Sequence, residues 1–440
     1  MANRITELCR LLRNRYLPPD ELRKLQESKL RAVIEHAYRN VPYYQTLFHS
    51  AGLAPQDVRT LEDLARVPIT SKEALRAVGV EGALARGVDP STCEVMRTSG
   101  STGKPFASYH SHREATMQTM VGFRALLTAG VRPTDRLAGL RPRLQPPSLM
   151  TRLGLYRSYR VSRSLVPEEQ VRLLRMVQPT VLRIAPSRLR AILHVVDYRI
   201  SEIARPRMLI TSGEVLDEGL KTRVLADLDV DFFNFYVSTE FAELASDCPA
   251  HEGLHVNADQ LIIECVDDDG QPVEPGQPGT VAVTNLCGYT MPFIRYCLGD
   301  ICTPIGDRCS CGSSFPLISA PLGRQDDVLR LPSGKILSTT GLGLIMMKLD
   351  EVDQYRFIQE SPARIVLQLV LRKHLGEDRL AQVRNQVLDY LREPLSLDVE
   401  ILPQLPEEKT KFRIFVSRVP TPLPTDSKDE VYSAMNTLGQ

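Results

Sequence analysis

Apolar positions along this chain change their period several times, and each change marks an element. Over residues 21–37, Leu22, Leu25, Leu30, Val33, Ile34 and Ala37 recur at helical spacing, and Pro42 closes the pattern. A loop with Pro55 and Pro68 follows. Ser71 ahead of Glu73, Ala74 and Leu75 reads as a helix start, because its hydroxyl can accept from the first free backbone N–H groups. Residues 93–106 read as a short strand followed by a polar, Gly-rich loop, and residues 112–129 as a helix. Residues 132–163 carry eight arginines among prolines and read as a solvated, loop-rich stretch rather than an anion-binding patch. A helix over 168–177 stops at Pro179.

Beyond that point short apolar runs alternate with helical ones: Val181–Ile184, residues 208–210 and the pair Phe232, Phe233. Such alternation predicts an α/β architecture. Between 260 and 285 the period shortens to two. Leu261, Ile263 and Cys265 alternate, a Pro/Gly turn spans 270–279, and Val281 and Val283 resume the alternation, which predicts an antiparallel hairpin. The last 115 or so residues read as a smaller α+β unit, with strands at 364–371, 399–402 and 413–416 and an amphipathic helix at 379–391. The final 20 residues are polar and contain prolines, and fraying is expected there. The expectation is a large unit of mixed sheets and helices over 1–323 and a small mobile α+β unit over 324–440.

Composition narrows the field. The 54 Lys and Arg against 53 Asp and Glu leave a net charge of +1, no footprint for nucleic acid. No apolar run is long enough to span a bilayer, and the charged N-terminus lacks a leader's apolar core, so a cytoplasmic protein with no membrane partner is expected. Nine cysteines, an odd number spread thinly, do not form a disulfide framework; a cluster among them points first to a metal.

The most informative segment is Thr98-Ser99-Gly100-Ser101-Thr102-Gly103-Lys104-Pro105. Small hydroxyl residues and glycines let backbone N–H groups approach an anion, and Lys104 adds charge. It is not a Walker A loop, which needs Gly where Thr98 stands and Ser or Thr where Pro105 stands. Taken alone, such a loop is most often a flexible turn. It does not stand alone. Tyr236-Val237-Ser238-Thr239-Glu240, then Arg295-Tyr296-Cys297-Leu298-Gly299-Asp300, then Gly323-Arg324-Gln325-Asp326-Asp327 follow in order. Together the four segments resemble the motifs of the adenylate-forming superfamily, the acyl-CoA synthetases and adenylation domains. The phrases KLRAVIEHAYRNVPYYQTLF and LEDLARVPITSKEALR resemble its phenylacetate–CoA ligase branch, including coenzyme F390 synthetase-like relatives.

The resemblance implies ATP, Mg²⁺ and CoA as cofactors and a carboxylic acid, aromatic or arylacetic, as substrate, with a carrier protein, an amine or a cofactor as alternative acceptor. It leaves room for a homodimer. It gives Thr98–Lys104 to the phosphates, Glu240 to Mg²⁺ and Thr239 to the α-phosphate. Asp300 and Arg324 would meet the ribose, and Ser212, Gly213, Glu214, Asn234, Phe235, Tyr236 and Ser238 would lie about the adenine. Arg295 would be structural or phosphate-adjacent, Asp326 would be the hinge, and Lys411, or Lys409, would steady the transition state from the C-terminal unit. Thr410 replaces the usual Gly before that lysine, and Val237 stands where Gly is common. Tyr109, Phe123, Phe235, Tyr236 and Pro292 are candidate walls of the acid pocket.

Cys248, His251 and His255 precede Cys309 and Cys311 across the predicted hairpin. Thiolates and imidazole suit tetrahedral Zn²⁺, and with four protein ligands the site would be structural, stapling residues 245–315. The fourth ligand is His251 or His255, with Cys302 a further candidate. Several relatives in the phenylacetate–CoA ligase branch carry a similar cluster.

Overall fold

A computed structural model describes residues 2–97, 106–141, 154–216, 218–324, 329–337, 342, 345–346, 349, 351–405 and 415–419. The phosphate-loop candidates Thr98–Lys104, the hinge candidate Asp326 and both lysine candidates, Lys409 and Lys411, lie outside the described residues.

The first helical pattern becomes the helix Pro19–Asn40, which buries Leu22, Gln26, Leu30, Val33, Ile34 and Ala37. Pro42 ends it and also begins the next helix, Pro42–Ser50, where the sequence reading expects a loop. A proline's missing N–H is no loss at a helix's first position, so one residue serves as stop and start. Ser71 Oγ accepts from Ala74 N at 3.0 Å and caps Lys72–Ala77. Ser111 and Glu114 form a capping box on the helix His112–Thr128. Glu114 also accepts from both N–H groups of Tyr289 and Thr290, pinning that helix start to the loop 289–290.

Among the described residues the largest sheet has nine strands. Arg157–Ser162, Arg136–Arg141, Val181–Ile184, Met208–Ser212 and Asp231–Ser238 run parallel in that spatial order. Ala242–Ser246, Leu254–Val256, Leu317–Ile318 and Pro304–Gly306 continue it antiparallel. The pairing turns from parallel to antiparallel at Asp231–Ser238, and the crevice beyond the carboxyl ends of the parallel strands is where ligands bind in such folds. Two of the parallel strands correct the sequence reading, which took residues 132–163 as loop-rich. Arg157–Ser162 is the outermost strand and buries only Val161, so it carries arginines without an apolar alternation to reveal it.

A second sheet packs Leu261–Val266, Gly279–Asn285, Tyr296–Cys302 and Gly323–Arg324 antiparallel. The predicted hairpin is its first pair. Arg295 enters it with φ 46°, is 2% exposed, and donates to Glu264, to the carbonyls of Ala65 and Val67 and to that of Gly270. Its role is structural. The C-terminal strands Ser396–Ile401, Arg364–Leu371, Val352–Ser361 and Phe415–Ser417 form another sheet, covered by the helix Glu377–Leu391. Leu329, Phe357, Leu367, Val383 and Phe415 build its core, distinct from the cores of the two preceding sheets.

Candidate active site and metal centre

The carboxyl ends of Met208–Ser212 and Asp231–Ser238 bring Ser212, Phe235, Tyr236 and Ser238 together. Gly213 turns the chain with φ +82°, and a Cβ there would stand 3.7 Å from Val237 Cγ2. The β-branched residue that replaces a glycine of the motif therefore fills the space facing this turn. The Glu214 carboxylate accepts from Ser187 N and Ser187 Oγ at 2.8 and 2.9 Å, at the start of the helix Pro186–His194. Asn234 approaches Thr211 Oγ1 at 3.4 Å.

Asp300 is the centre of the arrangement. The Tyr236 hydroxyl donates to its Oδ2 at 2.7 Å, and Arg324 Nε donates to its Oδ1 at 3.3 Å from the directly paired position of the neighbouring strand. Burial, and then the Asp300 carboxylate, push the Tyr236 hydroxyl well above its ordinary pKa, so it stays a donor. Both oxygens of Asp300 are thus oriented while the residue stays partly exposed.

Glu240 follows the exposed Thr239 in a turn and is 3% exposed. Tyr296 Oη donates to its Oε1 at 3.2 Å, and Lys72 Nζ stands 3.7 Å from the same oxygen. Lys72 also lies over the Phe106 ring, 5.7 Å from its centroid. The sequence reading placed no role on Lys72. Its signal was only the serine cap before it, which sets the side chain on the first turn of a helix aimed at the site. Of the expected pocket walls, Tyr109 lines an apolar cavity of about 120 Å³ with Phe106 and Met291. Phe123 packs edge-on against Tyr156.

Some 245–315 residues along, Cys248, His255, Cys309 and Cys311 converge, each offering a ligand atom within 4.8 Å of the others. Cys248 Sγ and Cys309 Sγ are 3.7 Å apart, and Cys311 Sγ is 3.3 Å from His255 Nε2. His255 Nδ1 lies 2.9 Å from the Phe315 carbonyl, the contact that fixes a ligating imidazole with Nε2 free. Gly312, at φ +79°, closes the Cys309–Gly312 turn. His251 is not in this group. Its N–H closes the turn onto Cys248 O, and its ring turns to Asp247, at 2.7 Å, and Phe233. Cys302 is likewise outside it, buried in the second sheet.

A family model described as AMP-binding enzyme matches residues 14–288. The phenylacetate-coenzyme A ligase of Thermus thermophilus is 28% identical over 388 residues, covering 84% of this chain and 85% of that one. Its namesake from Escherichia coli is 26% identical over 329 residues, covering 70% and 72%. Among solved structures, a 2-hydroxyisobutyryl-CoA ligase in the postadenylation state superposes with a TM-score of 0.75, at 19% identity, over 97% of this chain and 94% of that one. A benzoate CoA ligase from Burkholderia xenovorans superposes with a TM-score of 0.53, at 16% identity, over 77% and 71%. At those identities the superpositions speak for the fold. The family match spans more than half of the chain, over the same segment that holds the parallel strands and the Thr239–Glu240 turn: this chain belongs to the AMP-binding enzyme family.

Proposed function

We propose that this chain is an AMP-forming acid–CoA ligase that activates an aromatic or arylacetic acid. A carboxylate oxygen attacks the α-phosphorus of ATP, the bond to the β-phosphate oxygen breaks, and pyrophosphate leaves. The CoA thiol then attacks the acyl-adenylate carbonyl, giving thioester and AMP, with the thiol proton released. The observation that carries this reading is Asp300, held on both oxygens by Tyr236 and Arg324 beside the Thr239–Glu240 turn. A carboxylate with fixed orientation that stays partly exposed suits the two hydroxyls of a ribose. The similarity to phenylacetate-coenzyme A ligases over most of the chain supports the acid and the acceptor.

An anion attacking a polyphosphate needs fixed positive charge. Glu240 is a hard oxygen ligand that would hold Mg²⁺, which neutralises charge on the phosphates when bound. Lys72 adds a cation from the N-terminal helices. Thr98–Lys104 would supply backbone donors, Lys411 a second cation, and Asp326 the pivot of a mobile unit 324–440. Tyr236→Phe removes one hydrogen bond to Asp300, worth about 1 kcal/mol. The KM for ATP in pyrophosphate exchange should rise about fivefold, with Tm little changed.

Cys248, His255, Cys309 and Cys311 would hold a structural Zn²⁺, since three thiols and an imidazole with its far nitrogen bonded match that ion's tetrahedral donor set. Elemental analysis of the purified protein should find about one zinc per chain. Cys309→Ser should lose it and lower Tm, while His251→Ala should keep it. Zinc retained in the first variant, or lost in the second, would contradict this ligand set.

The acceptor is tested by omitting CoA. Thioester and AMP formed only with CoA support the ligase. Exchange without thioester points to a carrier protein or amine instead.

A further inference from the structure

One side of the central sheet carries a polar cluster that the roles above leave unused. Ser212 pairs with Phe235 and Val237 with Glu243 across the ladders, and Arg183 reaches them from the next strand. Arg183 donates to Glu243 Oε1, brings Nε to 3.4 Å from Ser212 Oγ, and lies over the Phe235 ring. The side chains of this ion pair are only 13% and 9% exposed. Burying such a pair rarely gains net stability, so its presence calls for another reason. The helix His112–Thr128 crosses above it at Gly122, where a Cβ would meet Glu243 Oε2 at 2.7 Å. A side chain at that position would make the carboxylate shift.

Beside Glu243 is a cavity of about 40 Å³, also lined by Met117, Gln118, Val121, Phe241 and Gln260. That is room for a small substituent or an ordered water or two. Gln260 is 6% exposed. Its Nε2 donates to the Asp259 carbonyl at 3.0 Å, but its Oε1 is buried with no hydrogen-bond partner among the described residues. A buried acceptor left unmet costs about 1–3 kcal/mol. The cavity abuts the proposed catalytic turn, because Phe241 follows Glu240 and Gln118 Nε2 donates to the Glu240 carbonyl at 3.4 Å.

Gln260, with its unmet amide oxygen, and Glu243, with its carboxylate, both line this small space, and together they are complementary to a hydrogen-bond donor. We infer that this cavity is a subsite for a hydroxyl or amino group carried by the acid that the enzyme activates. The inference rests on the ligase reading and narrows its substrate from a plain aryl or arylacetic acid to one bearing such a donor. Gln260 would be the specificity-determining residue, with Glu243, steadied by Arg183, as its companion.

The test is pyrophosphate exchange with matched acids: phenylacetate against its hydroxy and amino derivatives, and benzoate against the same set. The wild-type protein should show a kcat/KM at least about tenfold higher for a donor-bearing acid than for its parent, the worth of one buried hydrogen bond. The hydroxy and amino arms identify the donor. Gln260→Met should bring that ratio close to one. The wild-type comparison needs no variant, so it decides even if Gln260→Met does not fold. Parent acids used as well as or better than their derivatives, or a variant that lowers every acid alike, would overturn the subsite and leave the ligase standing. Exchange with no acid, together with no ATP binding, would overturn the ligase reading itself.

Discussion

Glu240→Gln should lower pyrophosphate exchange about a thousandfold, because a Lewis-acid ion at the phosphates contributes several kcal/mol and each tenfold in rate is 1.36 kcal/mol. The amide keeps the size of the carboxylate and can still accept from Tyr296 Oη, which donates at 3.2 Å in the native protein. What it removes is the negative charge that would hold Mg²⁺. The Lys72 and Glu240 side chains are 23% and 5% exposed, so losing the carboxylate's charge also costs some stability. Tm should fall modestly while activity collapses and the Mg²⁺ dependence flattens. A variant with near-native exchange would remove Glu240 from the catalytic set. Lys72→Met separates the two charges: exchange should fall while the Mg²⁺ dependence persists.

The second large effect is on stability. Arg124 and Asp259 are 1% and 0% exposed. Nη1 donates to Oδ2 and Nη2 to Oδ1, both at 2.9 Å, while the guanidinium also donates to the Leu11 carbonyl and Asn257 Oδ1 and lies over the Phe315 ring. Asn14 donates to the same carboxylate, so the pair fastens the first helix, Ala2–Asn14, to the body. Arg124→Met leaves a buried carboxylate without its counter-charge, a loss of about 3–5 kcal/mol, and Tm should fall by on the order of 10 °C. Arg124→Met with Asp259→Leu should recover most of that loss, since replacing both partners removes the uncompensated charge. The effect has a pH signature. Burial alone would push Asp259 up, but the charge and hydrogen bonds of Arg124, with help from Asn14, hold it below the ordinary carboxylate range. A depressed pKa stabilises the fold above the unfolded value of about 3.9 and loses that contribution as pH falls through the folded one. Without Arg124 burial raises the carboxyl instead, so the gap between wild type and Arg124→Met should narrow as pH falls from the variant's raised value toward the depressed one of the wild type. A gap constant with pH would contradict this origin.

The parts of the molecule legible in the sequence are those where one period or one motif carries the information. The helix Pro19–Asn40 and the pair Leu261–Val266 with Gly279–Asn285 announce themselves, because each buries a regular set of side chains against a single core. Tyr236, Asp300 and Arg324 lie 64 and 24 residues apart at their contacts, yet local motif text named all three. The cysteine–histidine set was legible to within one histidine. Choosing His255 required knowing that the Cys248 turn directs His251 toward Asp247. What stayed hidden depends on partners from distant strands. Lys72 matters because Ser71 caps its helix opposite Glu240. Arg183 and Glu243 look like two surface charges until the sheet buries them under Gly122. The edge strand Arg157–Ser162 was concealed because a sheet's margin does not demand apolar alternation, and Arg136–Arg141, one strand in, because arginines bound its short apolar run. Nor does the sequence signal that the Glu214 carboxylate accepts from Ser187.

The account rests on adenylation, and ATP–pyrophosphate exchange tests that most directly. It should be run with aryl, arylacetic and aliphatic acids, each with and without CoA. The account predicts acid-dependent exchange with an aryl or arylacetic member, and AMP and thioester released only when CoA is added. Absence of exchange with every acid, from a folded protein that also fails to bind ATP, would contradict it.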